Sequence, residues 1–144
     1  MTDGGSGLIK SLRARFRKKL LHQRCAIHKS RNLQQHVAKP YRSEVHRKLT
    51  TALEQTRYVD AKHMLLKLEA WLRPKNESAA DSLPDAFEEL LTLPRLKVPA
   101  LLRQPLISTN PIESMFSLVL HSEWNIKRIP RSRMLQRWLE AVLL

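Results

Sequence analysis

Apolar residues recur in this chain at helical rather than strand spacing, and that recurrence limits the fold more than any other feature. Leu8, Leu12, Phe16 and Leu20 return every fourth residue with basic residues between them. This predicts an amphipathic helix with a cationic outer face over Leu8 to Gln23. Cys25-Ala26-Ile27 is too short for a helix of its own and reads as a short strand or a bend. A second helix is expected to start near His28 and run to the Ala38-Lys39-Pro40 break, because proline disfavours helix in the residue before it.

Val45, Leu49, Ala52 and Leu53, then Val59, Met64, Leu65, Leu68 and Trp71, predict a long helical region from Tyr41 to about Arg73 with a break near Thr56. Pro74-Lys75-Asn76 closes it. Between Ser78 and Leu93 one or two short helices are expected, interrupted by Pro84. Pro94, Pro99 and Pro105 then leave room for about one turn of helix near Val98 to Leu102. Ile112, Phe116, Val119 and Leu120 mark a helix over 110–121. Met134, Leu135, Trp138, Leu139, Val142 and Leu143 mark a last one from about Arg131 to Leu144.

A length of 144 residues allows one ordinary domain with a real apolar core. Only three glycines and 42% hydrophobic residues suit a helix-rich protein rather than a sandwich, a collagen or a disordered tail. Cys25, the single cysteine, cannot form an internal bridge and fits a reducing cytoplasm. The first residues lack the apolar core of a signal peptide, and no 18-residue apolar stretch could span a bilayer, so no export and no membrane are expected.

Charge is distributed as a block. Residues 1–48 carry 13 basic and 2 acidic side chains, a net +11, while residues 49–107 carry 8 of each and residues 108–144 carry 5 and 3. Such a block attracts a polyanion, and nucleic acid is the first expectation, ahead of an anionic membrane surface.

Three local patterns could carry chemistry: Thr2-Asp3-Gly4-Gly5, the Cys25–His28 pair, and Ser108-Thr109-Asn110-Pro111-Ile112-Glu113. Each has an ordinary structural reading. Asp3 before two glycines is a turn signal. Asn110 as N-cap, Pro111 at the first helical position and Glu113 three residues on make a capping box. Cys25 and His28 could be half a zinc site, but structural zinc takes four ligands, and His22, His36, His46, His63 and His121 form no second close pair. A packed cysteine and a hydrogen-bonded histidine are the better reading.

Taken in order, TDGGSGL, a basic helix, HQRCAIHKSRNL, a helical insert, STNPIESMF and a last helix ending RWLEAVLL resemble the mutator-type bacterial insertion-sequence transposases over essentially the whole chain. That family belongs to the ribonuclease-H-like superfamily, and its Asp-Asp-Glu set binds two divalent ions. The resemblance implies that Asp3 is the second aspartate and Glu113 the glutamate, as catalytic residues and ligands of Mg2+ or Mn2+. Carboxylates suit the task because hard oxygens hold such ions while leaving room for phosphate and water. Cys25 and His28 match the family's CxxH motif, whose role the sequence leaves open between shaping the site and contacting DNA. Arg13, Arg17, Lys18, Arg31 and Asn110 are the candidates for DNA contact.

The family's first aspartate has no counterpart here by motif. The fold expected is therefore mainly α: an incomplete ribonuclease-H-like α/β catalytic domain, its core strands missing, with an all-helical insertion. Residues 1–40 would be partial core with the basic helix and CxxH motif, residues 41–107 the insertion, and residues 108–144 the core helices carrying the glutamate. The expected protein is a truncated, cytoplasmic, nucleoid-associated transposase fragment. Its partners would be DNA and either full-length transposase or a second copy, with the metal not stably held and no transposition by the chain alone. The competing expectation is a non-catalytic, basic helical module that binds DNA or a transposase. A third, a helical scaffold charged only for solubility, predicts no DNA binding even at low salt.

Overall fold

The computed structural model describes residues 1–124 and 132–143. Among them the protein is mainly helical and has no sheet; one isolated parallel bridge joins Thr2 to Arg24. The helices are α1 (Ser6–Phe16), α2 (Ala26–Gln35), α3 (Arg42–Glu54), α4 (Tyr58–Leu72), α5 (Glu77–Asp81), α6 (Phe87–Leu90), α7 (Thr92–Arg95), α8 (Ala100–Leu106), α9 (Asn110–Glu123) and α10 (Ser132–Leu143). Arg131 and Leu144, the bounds expected for the last helix, lie outside the described residues. No helix among them is long and apolar enough to cross a membrane. Two compact units form, Met1–Thr109 and Asn110–Leu144.

The core of the first unit follows the apolar spacing of the sequence. α3 buries Val45, Leu49, Ala52 and Leu53, one face of the helix. α4 buries Ala61, Leu65, Leu68 and Leu72. The three-residue connection Gln55–Arg57 folds these helices into a hairpin, at the break expected near Thr56. α2 packs beside α3 through Leu33, and Leu83, Leu90 and Leu91 of the α5–α7 segment close the cluster. Each buried leucine contributes about 1.5–3 kcal/mol of transfer free energy. Val59, expected on the apolar face of α4, is 64% exposed; the buried face starts two residues later, at Ala61. Asn76 caps α5 by accepting the Ala79 N–H at 2.8 Å.

Four local expectations are corrected. α1 ends at Phe16, where Arg17 takes φ 48°, and residues 17–19 form a 3-10 turn. Its buried residue is Ile9, whereas Leu8 and Phe16 of the expected stripe are exposed. Ala26 and Ile27 are neither strand nor bend but the first turn of α2, because Cys25 is extended (ψ 118°) and stands ahead of it. α8 is two turns rather than one and tolerates Pro105, which lies in its last turn and removes a single helical hydrogen bond.

In the second unit α9 and α10 pack against each other. α9 begins at Asn110, the start expected, runs two residues past 121, and has Glu113 in its first turn.

Candidate functional site

The segment His22-Gln23-Arg24-Cys25 is drawn out straight because backbone groups grip it on both sides. On one side Thr2 N–H donates to Gln23 O (3.2 Å), and Cys25 N–H donates to Thr2 O (2.8 Å). On the other, Arg24 N–H donates to Glu89 O (3.0 Å), and the Thr92 hydroxyl donates to His22 O (2.6 Å). The buried Gln23 amide spans the gap to α6 and α7: Nε2 donates to Leu90 O (3.2 Å) and Arg24 O (2.9 Å), and Oε1 accepts the Leu93 N–H (3.2 Å). Gln23, Glu89 and Thr92 were not singled out from the sequence. Gln23 stands inside the QRCxxH string, but its partners lie near residue 90, and no local pattern announces them.

Cys25 is the point where the three sequence patterns meet. Its backbone N–H holds Thr2, the neighbour of Asp3. Its Sγ accepts the Thr109 N–H and the Thr109 hydroxyl, both at 3.3 Å, and lies 3.2 Å from His28 Nδ1. Thr109 directly precedes Asn110, and Ala26 N–H donates to Ile107 O nearby (2.9 Å). The CxxH pair is thus a packed cysteine and a hydrogen-bonded histidine, as the residues suggested. It clasps the segments that lead to Asp3 and to Glu113.

Burial alone would push the Cys25 thiol up. Hydrogen bonds from the Thr109 hydroxyl, from the His28 and Thr109 N–H groups and from the His28 ring outweigh it and bring the thiol down to about 7. Lys29, buried beside it in sequence, is lowered to about 8 by burial and then by the Arg24 charge. Its ammonium donates to Ser82 O (2.7 Å) and Ser82 Oγ (3.1 Å).

Both shifts mean that the unfolded chain holds more protons than the folded one, between about pH 7 and 9 for Cys25 and between about 8 and 10.5 for Lys29. Stability should therefore rise with pH through these windows and fall as pH drops to 7, by about 2 kcal/mol from Cys25. Urea melts from pH 7 to 9 should show the rise. Cys25→Ser should flatten its lower limb, whereas an unchanged rise would remove the thiol as its source.

Asp3 is exposed, and its Oδ1 accepts the Gly5 N–H at 2.9 Å, the turn its sequence predicted. Gly4 is favoured there chiefly by its backbone, and a side chain would also have to displace the Arg24 guanidinium. Its φ is 102°, and a Cβ would stand 2.6 Å from Arg24 Nη2. Glu113 is exposed in the second unit. The oxygens of both carboxylates suit Mg2+ or Mn2+ by donor chemistry. The described residues gather no group of three or more metal-ligating side chains.

Arg13, Arg17 and Lys18 share one groove of 520 Å3, with Arg95 of α7 contributing a further cation. Glu88 and Glu89 line it as well, and Glu89 takes Arg13 Nη2 at 3.1 Å and Arg24 Nη1 at 3.6 Å. His22 joins this carboxylate to the Asp3 loop, with Nδ1 3.2 Å from Glu89 and Nε2 sharing a 2.8 Å hydrogen bond with the Thr2 hydroxyl. Arg31 is exposed on α2 and does not line the groove; Asn110 is exposed at the start of α9.

No curated protein and no solved structure matches the chain. The family model described as Transposase, Mutator family, matches residues 1–144. The chain belongs to that family.

Proposed function

We propose that this chain is the part of a ribonuclease-H-like, Asp-Asp-Glu transposase that carries the second aspartate, Asp3, and the glutamate, Glu113, and that it binds DNA through the basic groove of α1. The observation that carries this reading is the clasp at Cys25, whose N–H donates to Thr2 O beside Asp3 and whose Sγ accepts from Thr109, 84 residues along the chain and shortly before Glu113. Mg2+ or Mn2+, when bound, would stabilise the attacking and leaving oxygens of an in-line phosphoryl transfer. Asp3 and Glu113 would supply two of its ligands. Arg13, Arg17 and Lys18 would hold the DNA backbone independently of sequence.

These residues alone do not complete the metal set. The purified chain with Mn2+ and an end-labelled duplex should retard the DNA and release no strand-transfer product. Product that disappears in Glu113→Gln would show that these 144 residues form a working site, against this proposal. The second reading, a non-catalytic DNA-binding module, is suggested by the basic block over residues 1–48. It predicts DNA binding that ignores Mg2+ as well as Asp3→Asn and Glu113→Gln. The proposed site predicts that Mg2+ tightens binding and that either substitution removes the effect.

A further inference from the structure

The basic groove of α1 does not end at α7. Arg95 borders both that groove and a second cavity of 640 Å3, a volume in the range of ligand-binding clefts. At its other end the first groove shares Arg13 and Glu89 with a hollow that reaches Gly4, next to Asp3. One run of concavities therefore leads from the Asp3 loop, past α1, to the second cavity.

This cavity lies in the helical section whose overall charge is neutral, yet it is lined by Arg57, Arg95, Lys97 and Arg103 and by no carboxylate. The rest of its lining is mostly apolar, Val59 and Val98 among it, with Thr56 and Tyr58 bringing hydroxyls. Arg57 and Arg95 have loose partners, Asp60 and Glu88, each at 3.6 Å. Among the described residues neither Lys97 nor Arg103 is paired with a carboxylate. Arg103 is instead fixed by carbonyls, donating to Val98 O (2.7 Å), Gln55 O (3.0 Å) and Thr56 O (3.4 Å). Its charge is held in place and left unneutralised.

Lys97 is placed on the cavity by the end of α7. It takes φ 52° just past the end of α7, a position that favours glycine. Among the described residues the only other non-glycine with positive φ is Arg17. Both are cations, and each lines one of the two linked cavities. The Lys97 N–H donates to Pro94 O (3.0 Å) and the Val98 N–H to Leu93 O (3.1 Å), the C-cap that sets this backbone and fixes where the Lys97 side chain starts.

We propose that the second cavity takes an unpaired nucleotide at a DNA end, its phosphate on Lys97 and Arg103 and its base against the apolar wall of Val59 and Val98. This rests on the DNA-binding reading of the α1 groove, which would carry the adjoining duplex. A negative group with a flat apolar part matches a cationic rim over an apolar wall, and the link through Arg95 favours nucleic acid over an acidic peptide.

The test is fluorescence anisotropy of the full chain with a blunt duplex and with the same duplex carrying a short single-stranded overhang. The overhang should bind about tenfold tighter. Lys97→Gly should melt about 2–5 °C higher, because strain is relieved, and lose that preference while blunt-duplex affinity falls only about twofold. Val59→Glu, a change at an exposed position, should also remove the preference. Equal affinity of the unaltered protein for both DNAs would overturn the proposal, as would a preference that survives both substitutions. Tighter binding of an acidic peptide than of the overhang, lost in Lys97→Gly, would overturn it in favour of a protein partner. The groove reading fails separately, if blunt-duplex binding survives removal of Arg13, Arg17 and Lys18; failure to bind either DNA overturns both.

Discussion

Gln23→Ala should lower the unfolding free energy by about 3 kcal/mol and the melting temperature by about 10 °C. The residue is 5% exposed, and its amide answers Leu90 O, Arg24 O and the Leu93 N–H. Alanine would leave buried backbone groups without partners, and each such group costs about 1–3 kcal/mol. The loss should be accompanied by release of the extended segment that Cys25 ends, so the Cys25 thiol should become reactive toward a thiol reagent under native conditions. Gln55→Ala is the control. Its Nε2 donates to Thr51 O at 2.9 Å on the partly exposed end of α3, and its removal should cost less than about 1 kcal/mol. Equal effects at the two positions would mean that the Gln23 bridge does not hold α6 and α7 to the motif segment.

Replacing Arg13, Arg17 and Lys18 together with alanine should weaken DNA binding about a hundredfold at low salt and reduce the salt slope by about 3. The change in fold stability should be small. All three side chains are exposed, and the one ion pair lost, Arg13 to Glu89, is 67% exposed on the arginine side and worth less than about 1 kcal/mol. Lys67→Ala with Arg73→Ala removes charge elsewhere. Arg73 is already matched by Glu69 at 2.8 Å and Asp81 at 3.0 Å, so this pair of changes should leave DNA affinity within about twofold. Band shifts or anisotropy across a salt series separate the two cases. An equal loss in both variants would make the interaction one of net charge rather than of the groove.

The helices of the first unit were legible where a helix meets the core over its whole length. Val45, Leu49, Ala52 and Leu53 repeat at helical spacing because together they are the buried face of α3. The break near Thr56 was legible for the same reason, since the pattern shifts phase there. α1 was misread because periodicity reports what a helix could bury and not what it does. Ile9 is its buried residue, and the helix ends at Phe16, where Arg17 takes φ 48° and a 3-10 turn follows. The turn at Asp3 was legible from two glycines. What was not legible is contact across the sequence. Nothing near Cys25 names Thr109 as its partner, and nothing near Gln23 names Leu90 or Leu93. Residue strings marked these positions as special, but only the fold shows that they are parts of one clasp. The strained Lys97 was hidden for another reason. Left-handed backbone at a lysine is set by the end of α7 and leaves no compositional trace.

The salt dependence of DNA binding by the intact chain tests the central claim most directly. If the basic block of α1 and its groove grip phosphates, affinity for a blunt duplex should fall by about a thousandfold between roughly 50 and 200 mM monovalent salt, on a straight line of log affinity against log salt. No retardation at the lower salt, or an affinity that is the same at both, would contradict it.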